Sequence, residues 1–331
     1  MIAEAADSIP VLVDTDPGID DVLALLLAFR TPGWRVAAVT TVAGNVTVEV
    51  ATRNVARVLG VVRPSDPPLV AVGAAGPRVG PLVTAAHVHG EDGLGGLADE
   101  RDAAGQPRLP EAPLRRHHGD AADLILDCAR RWPGALTIVA LGPLTNLALA
   151  VERDAGALRR LRRLVVMGGA VAVGGNVTAA AEFNVFVDPE SAALVLDAGL
   201  PVTLVPLDVT TRVVWPAPAI ERLVGSRDPV ARFAAAVAHR GLALAGGGGQ
   251  TGITMHDPLA VGVAADESLV ETVTLPVAVE TGGTLTRGAT VADRRPPSPR
   301  RPARPGCRVA LGVDAARFLR LYEERLCRAS A

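Results

Sequence analysis

Residues Val11 to Asp21 read VLVDTDPGIDD, four carboxylates within eight residues directly behind a short apolar run. Four like charges this close repel one another unless a cation or shared protons relieve them. The stretch is therefore either a solvated acidic loop or a metal site. Its surroundings carry a fold as well. The apolar run 9–13 reads as a buried strand, Pro17 and Gly18 as a turn, and the residues from about Asp20 onward as the opening of a helix. Pro17 sets the turn, and Gly18 is expected to supply a backbone angle that a side chain would forbid. In a parallel α/β sheet, ligands bind outside the carboxyl ends of the strands, and that is where these aspartates fall. Oxygen ligands at such density suit Ca2+ or Mg2+ rather than zinc.

The strand–helix alternation continues along the chain. Apolar, β-rich runs recur at 36–42, 69–72, 136–141, 164–167 and 202–207. Helical periodicity fills 21–30, 48–59, 121–131, 144–153 and 190–198. Near-continuous apolar strands joined by amphipathic helices specify a mostly parallel sheet covered on both faces. The expectation is one α/β domain over 9–327, Rossmann-like, with residues 1–8 as a frayed tail. Toward the end, 273–280 and 284–292 flank the turn TGG and read as an antiparallel hairpin, a small β addition. The segment 293–306, DRRPPSPRRPARPG, is too rich in Pro and Arg for regular structure and is expected to be an exposed loop. A strand and a helix close the chain, with Asp314 as N-cap.

Bulk properties exclude several classes. At 49% hydrophobic and 21% charged, the 331-residue chain is globular rather than disordered. A formal net charge of −2 presents no basic surface for nucleic acid or an anionic membrane. No uncharged apolar stretch of about 18 residues marks a membrane span. The N-terminus lacks the basic and apolar regions of a secretory signal. Three cysteines, Cys128, Cys307 and Cys327, have no metal-like spacing; each is expected as a small buried hydrophobe in a reducing, cytoplasmic setting.

Other acidic signatures can be tested against the opening stretch. An EF-hand loop starting at Asp14 needs Gly at its sixth position and Glu at its twelfth, where this chain has Ile19 and Leu25. A phosphotransferase of the haloacid dehalogenase type also places D-x-D after its first strand. It further wants a later lysine and a second acidic pair, and this chain has no lysine.

Six motifs occur in order: DTDPGIDD (14–21), TTVAGN (40–45), HVHGEDGLGG (87–96), ALGPLTNLALA (140–150), MGGAVAVGGNVTAAAEFNVFVDPESAA (167–193) and MHDPLAV (255–261). Together they resemble the inosine-uridine-preferring nucleoside hydrolases, from about residue 9 to residue 326. The resemblance implies hydrolysis of the N-glycosidic bond of ribonucleosides to ribose and free base, within nucleoside salvage. It also implies one Ca2+ held by Asp16, Asp21, Asp257 and the main-chain carbonyl of Leu141, with Asp14 behind them. It places ribose contacts on Asp20, Asn176, Glu182 and Asn184, puts Asn45 near the catalytic water, and makes a homodimer or homotetramer the expected assembly.

Those residue types suit the chemistry. Cleavage passes through an oxocarbenium-like state whose positive charge nearby carboxylates stabilise. Asp16, touching metal and water, is the natural general base, and His256 and His89 are candidates to assist the departing base. Asn176, Glu182 and Asn184 could instead simply cap turns, and His87, His117, His118 and His239 read as structural or surface residues. A non-catalytic nucleoside binder is the rival from another class, although a binder has no need of a general base. Where base preference is set, the segment 238–257, AHRGLALAGGGGQTGITMHD, contains no aromatic residue. Phe183 is left for stacking, and Gly246 to Gly249 suggest a flexible lid. The reading leans toward pyrimidine or broad specificity.

Overall fold

The computed structural model describes residues 8–246, 251–296 and 304–327. Twelve strands follow in chain order: β1 Ile9–Thr15, β2 Trp34–Thr41, β3 Leu69–Val72, β4 Arg115–Arg116, β5 Thr137–Ala140, β6 Arg163–Met167, β7 Val202–Val205, β8 Val214–Pro216, β9 Gly252–Thr254, β10 Val270–Val279, β11 Thr290–Ala292 and β12 Gly306–Val313. Ten of them form one sheet in the order β11-β10-β12-β7-β6-β5-β1-β2-β3-β4. From β12 to β4 every neighbouring pair is parallel.

Alternation along the central strands divides the interior into two cores, one on each face. Val11, Val13, Val139, Val165 and Met167 join one, with the helices Ile19–Phe29, Pro229–Leu244 and His256–Ala265. Leu12, Ile138, Ala140, Leu164 and Val166 join the other, with the helices Ala121–Arg131, Thr145–Leu158 and Pro189–Asp197. A strand buried on both faces has no room for a polar residue, which is why these runs read as uninterrupted apolar sequence. The helix Ile19–Phe29 is nearly all apolar because it is covered nearly all round, packing among others against His256–Ala265.

The C-terminal hairpin differs from its expected form. Only Thr290–Ala292 pairs with β10, and β10 extends back to Val270 to pair antiparallel with β12 along its other edge. The antiparallel addition is thus the margin of the main sheet. The rest of 284–292 cannot extend the strand: Leu285, 86% exposed, has no face to bury against. A two-stranded antiparallel pair, β8 with β9, has no counterpart in the sequence reading. Cys128 and Cys307 are buried as expected, whereas Cys327, just past the last helix, is exposed. Of the Pro/Arg-rich loop, 297–303 lie outside the described residues, as do 1–7 of the expected tail. Among the described residues no helix is long and apolar enough to cross a membrane.

Candidate active site

Strand order reverses beside β1: the chain builds outward through β2, β3 and β4, then returns to place β5 on the other side of β1. The register aligns Asp14 with Thr40 on β2 and with Ala140 on β5, so three strand ends stop at one level. Ligand crevices form at such a reversal, because the connections leaving the two strands diverge. The acidic stretch enters it.

The turn after β1 is built by its own carboxylates. Asp21, at the third position of the helix Ile19–Phe29, accepts from the Gly18 N–H (3.1 Å), the Asp16 N–H (3.3 Å), the Thr15 hydroxyl (2.6 Å) and the Asn45 side-chain amide (2.9 Å). It closes the helix start in the manner of a capping box. Gly18 has φ −92°, which any residue adopts. Its role is therefore spatial, not conformational. A Cβ there would lie 2.7 Å from Nδ1 of His89.

Asp16 is fully buried, and two glycines make room for it. A Cβ on Gly44 would lie 2.1 Å from its Oδ2, and one on Gly142 would lie 2.5 Å from its Oδ1. Oδ2 accepts from the Asn45 N–H at 2.6 Å, while Oδ1 is buried with no hydrogen-bond partner. Behind it, Asp14 Oδ1 accepts from Thr40 (2.5 Å) and from the Asn146 amide (2.7 Å), and its Oδ2 is likewise unpartnered. Burial lifts the Asp14 carboxyl to about 6 against those two hydrogen bonds.

From across the crevice the helix His256–Ala265 delivers Asp257. Asp20, Asp21 and Asp257 bring ligand oxygens within 4.8 Å of one another. Asp16 stands close enough that burial first, and then the charge of Asp21, raises its carboxyl well above the ordinary range. Asp257 rises for the same reasons, its largest charged neighbour being Asp20. Asp20 reaches about 7, and its buried Oδ1 has no partner. Buried oxygens without donors, among carboxylates that oppose one another's ionisation, fit a hard divalent cation. The geometry thus puts Asp20, expected at the ribose, into the cluster with two expected metal ligands.

Asp20 and Asp257 of the cluster line a cavity of about 430 Å³. On another wall, Glu182 caps the short helix Phe183–Val187. It accepts from Asn184 N–H (2.9 Å), Val185 N–H (3.2 Å) and Gly169 N–H (2.9 Å). Burial still holds its carboxyl above the usual range. Asn184 donates its side-chain amide to the Leu141 carbonyl (2.6 Å), the expected metal-ligating oxygen, and to Met167 O (3.3 Å). Asn176 Oδ1 accepts from the Phe183 N–H at 3.0 Å. The capping role weighed for these residues is therefore real for Glu182 and Asn176 but not for Asn184, and all three also line the cavity together with Phe183, Asn45 and Leu141.

Both candidate histidines line the cavity as well. His89 Nδ1 accepts from the Ile19 N–H (3.0 Å), so the neutral ring carries its proton on Nε2. His256 Nδ1 lies 2.8 Å from the Thr210 hydroxyl. Burial lowers each imidazole to about 4. His87, read as structural, lines the cavity too, while His117 and His239 pair with Asp127 and Glu221 at the surface. Thr15, Thr40 and Asn146 went unassigned in the sequence although they sit inside quoted motifs; Thr210 carries no local signal at all. Of the glycine run expected as a lid, 247–249 lie outside the described residues. Tyr322, Phe318 and Trp215 pack on one another in the core and do not reach the cavity.

Comparison with known proteins agrees with this geometry. Residues 11–320 match the family model described as inosine-uridine preferring nucleoside hydrolase. Pyrimidine-specific ribonucleoside hydrolase RihA of Salmonella gallinarum is 37% identical over 325 residues, covering 96% of this chain and 98% of that protein. Its counterpart in Citrobacter koseri is 38% identical over the same coverage. Among solved structures, a plant nucleoside hydrolase superposes with TM-score 0.85 at 32% identity, covering 97% of this chain and 99% of the other. A purine-preferring ribonucleoside hydrolase from Gardnerella vaginalis superposes with TM-score 0.85 at 28% identity, covering 96% and 98%. With its sheet, its acidic crevice and nearly its whole length matched, this chain belongs to the inosine-uridine preferring nucleoside hydrolase family and is an enzyme that hydrolyses N-glycosyl bonds of ribonucleosides.

Proposed function

We propose that this hydrolase is Ca2+-dependent, that Asp16 activates the attacking water, and that its base preference is for pyrimidines or broad. The observation that carries the reading is the aspartate cluster whose Asp20 and Asp257 line the cavity, with one buried oxygen each of Asp16 and Asp20 lacking any protein donor. Asp16, Asp21, Asp257 and the Leu141 carbonyl would hold the ion, with Asp20 beside them and Asp14 behind. When bound, a divalent cation lowers the pKa of water and orients hydroxyl groups.

The chain's own groups supply the rest. Asp16, held at Oδ2 by the Asn45 N–H, presents Oδ1 as the base that takes the water proton. Glu182 has lone pairs left beyond its backbone donors and can accept from a ribose hydroxyl. Asn184 has spent its N–H groups on carbonyls, so it offers ribose its oxygen. Asn176 and Asp20 complete that wall. As positive charge grows on the ribose ring, these preset oxygens stabilise it without reorganisation. Burial holds His89 and His256 in the neutral form; His89 meets the departing base as an Nε2–H donor, and His256 does the same when the Thr210 hydroxyl donates to its Nδ1.

The base half of the cavity is aliphatic, with Val88, Leu244 and Ile253, and Phe183 is its one aromatic among the described residues. Without an aromatic sandwich a purine gains little over a pyrimidine. RihA, similar over nearly the full length, is named pyrimidine-specific. The decisive experiment is a panel of common nucleosides assayed for reducing-sugar release with and without Ca2+. Release from pyrimidine nucleosides that stops on chelation and returns with Ca2+ is expected; unchanged release after chelation overturns the metal role, and strict purine selectivity overturns the base preference. A homodimer or homotetramer is proposed on the resemblance alone, with sedimentation equilibrium as its test.

A further inference from the structure

Apart from the catalytic cavity, the structure carries a larger groove of about 890 Å³. Helix Pro229–Leu244 serves both. Gly241, Leu244 and the following Ala245 line the catalytic cavity, whereas Arg232, Phe233, Ala236, Arg240 and Ala243, spaced three and four apart, line the groove. The opposite bank comes from the end of helix Val48–Val62 and from the segment carrying Leu97, Arg108 and Leu109.

Two features set this groove apart. The first is charge. Arg63, Arg108, Arg232 and Arg240 line it against a single carboxylate, Glu100, in a chain whose net charge is negative. Glu100 is shared, in an ion pair with Arg240 and 3.6 Å from Arg108. Arg232 donates only to the carbonyls of Ser226 (2.7 Å) and Arg227 (2.9 Å). Arg63 Nε donates to the Gly60 carbonyl (3.2 Å), and neither Arg63 nor Arg232 forms an ion pair among the described residues.

The second feature is backbone strain. Arg63 ends helix Val48–Val62 at φ 49°, ψ 57° and is the one non-glycine residue with positive φ among the described residues. That position ordinarily holds glycine, since a Cβ there crowds the following carbonyl. A strained residue with an exposed cation points to a use for the side chain.

We propose that the groove binds an organic monophosphate. Its phosphate lies against Arg63, Arg108 and Arg232, whose planar forks suit phosphate oxygens, and its flat apolar part lies over Leu97, Leu109 and Phe233. Arg63→Gly makes a clean probe, because it removes the cation and relieves the strained cap together, so the fold is retained.

Calorimetric titration of the full chain with phenyl phosphate and with inorganic phosphate tests the proposal. Neither probe carries a glycosidic bond, so catalysis does not interfere. The expected result is one saturable site, about tenfold tighter for phenyl phosphate because its ring is buried. Arg63→Gly is expected to weaken it by about tenfold, and Arg63→Gly with Arg108→Ala further still. Nucleoside kcat and KM of both variants should match the parent, since neither arginine lines the catalytic cavity. Absence of saturable binding, equal affinity for the two probes, or unchanged affinity in the double variant overturns the proposal. So does a shift of the double variant's sedimentation mass without phosphate binding, which would make the groove an interface between copies.

Discussion

Asp16, the proposed general base, has one oxygen fixed by a backbone N–H and the other without a protein partner, both in a pocket hollowed by two glycines. Asp16→Asn keeps the volume, leaves the fold intact and removes the base. Turnover should fall by at least about 10²-fold, the low end for losing a general base, and Ca2+ binding should weaken. Steady-state kinetics and a metal titration read both effects, and wild-type turnover with normal metal affinity would assign the water to another group. The two imidazoles divide differently. A neutral N–H donor matters when the departing base needs help and is idle when the leaving group departs as a stable anion. His256→Ala is therefore expected to slow natural nucleosides by about 10²-fold while barely affecting p-nitrophenyl riboside. Glu182→Ala, acting at the ribose, should harm both substrates alike. Equal losses on both substrates for His256→Ala would make it a positioning residue for Asp257.

At the scale of elements, the site depends on connections that bring neighbouring strand ends close. The loops after β2 and β5 contribute Gly44 and Gly142, and each passes where any side chain would strike the Asp16 carboxylate. Gly44→Ala places a carbon 2.1 Å from Asp16 Oδ2, a separation that displacement of the carboxylate is expected to relieve. A shift of about 1 Å at a catalytic group costs on the order of 10²-fold in rate, so kcat/KM should fall by that much while circular dichroism stays native. Retained activity would mean that the loop, not Asp16, gives way. The helix carrying Asp257 lies on the same face of the sheet as Ile19–Phe29 and is held by its packing on it. The proposed metal ligands Asp21 and Asp257, on two packed helix starts, keep their spacing because the core behind them is close-packed.

Across the whole molecule, the acidic crevice sets its members against one another. Asp14, Asp16, Asp20 and Asp257 all have raised carboxyl pKa values, burial being the first cause in each. A cation that binds only the folded state relieves that opposition and stabilises by mass action. At about 100 times its Kd the gain is about 2.7 kcal/mol. For a chain of this size that amounts to a few degrees in Tm. Chelation should lower Tm by that amount and added Ca2+ restore it, as differential scanning calorimetry will show. An unchanged Tm would argue against a resident ion.

The alternation of apolar strands and amphipathic helices, the turn at Pro17, and the aspartates behind the first strand are all local, and the sequence determined them. Central strand positions followed because burial on both faces leaves an unbroken apolar run. The hairpin of β10 with Thr290–Ala292 followed in outline, but the pairing of β10 with β12 and the β8–β9 pair did not, because partners far along the chain decide them. The same division runs through the site. Asp16, Asp21 and Asp257 were legible as residue types in motifs, yet only the register of β1 with β2 and β5 and the packing of two helices bring them together. Gly18 shows the limit most plainly. Its turn was readable, but its reason, the ring of His89 lying against it from far along the chain, exists only once the chain has folded.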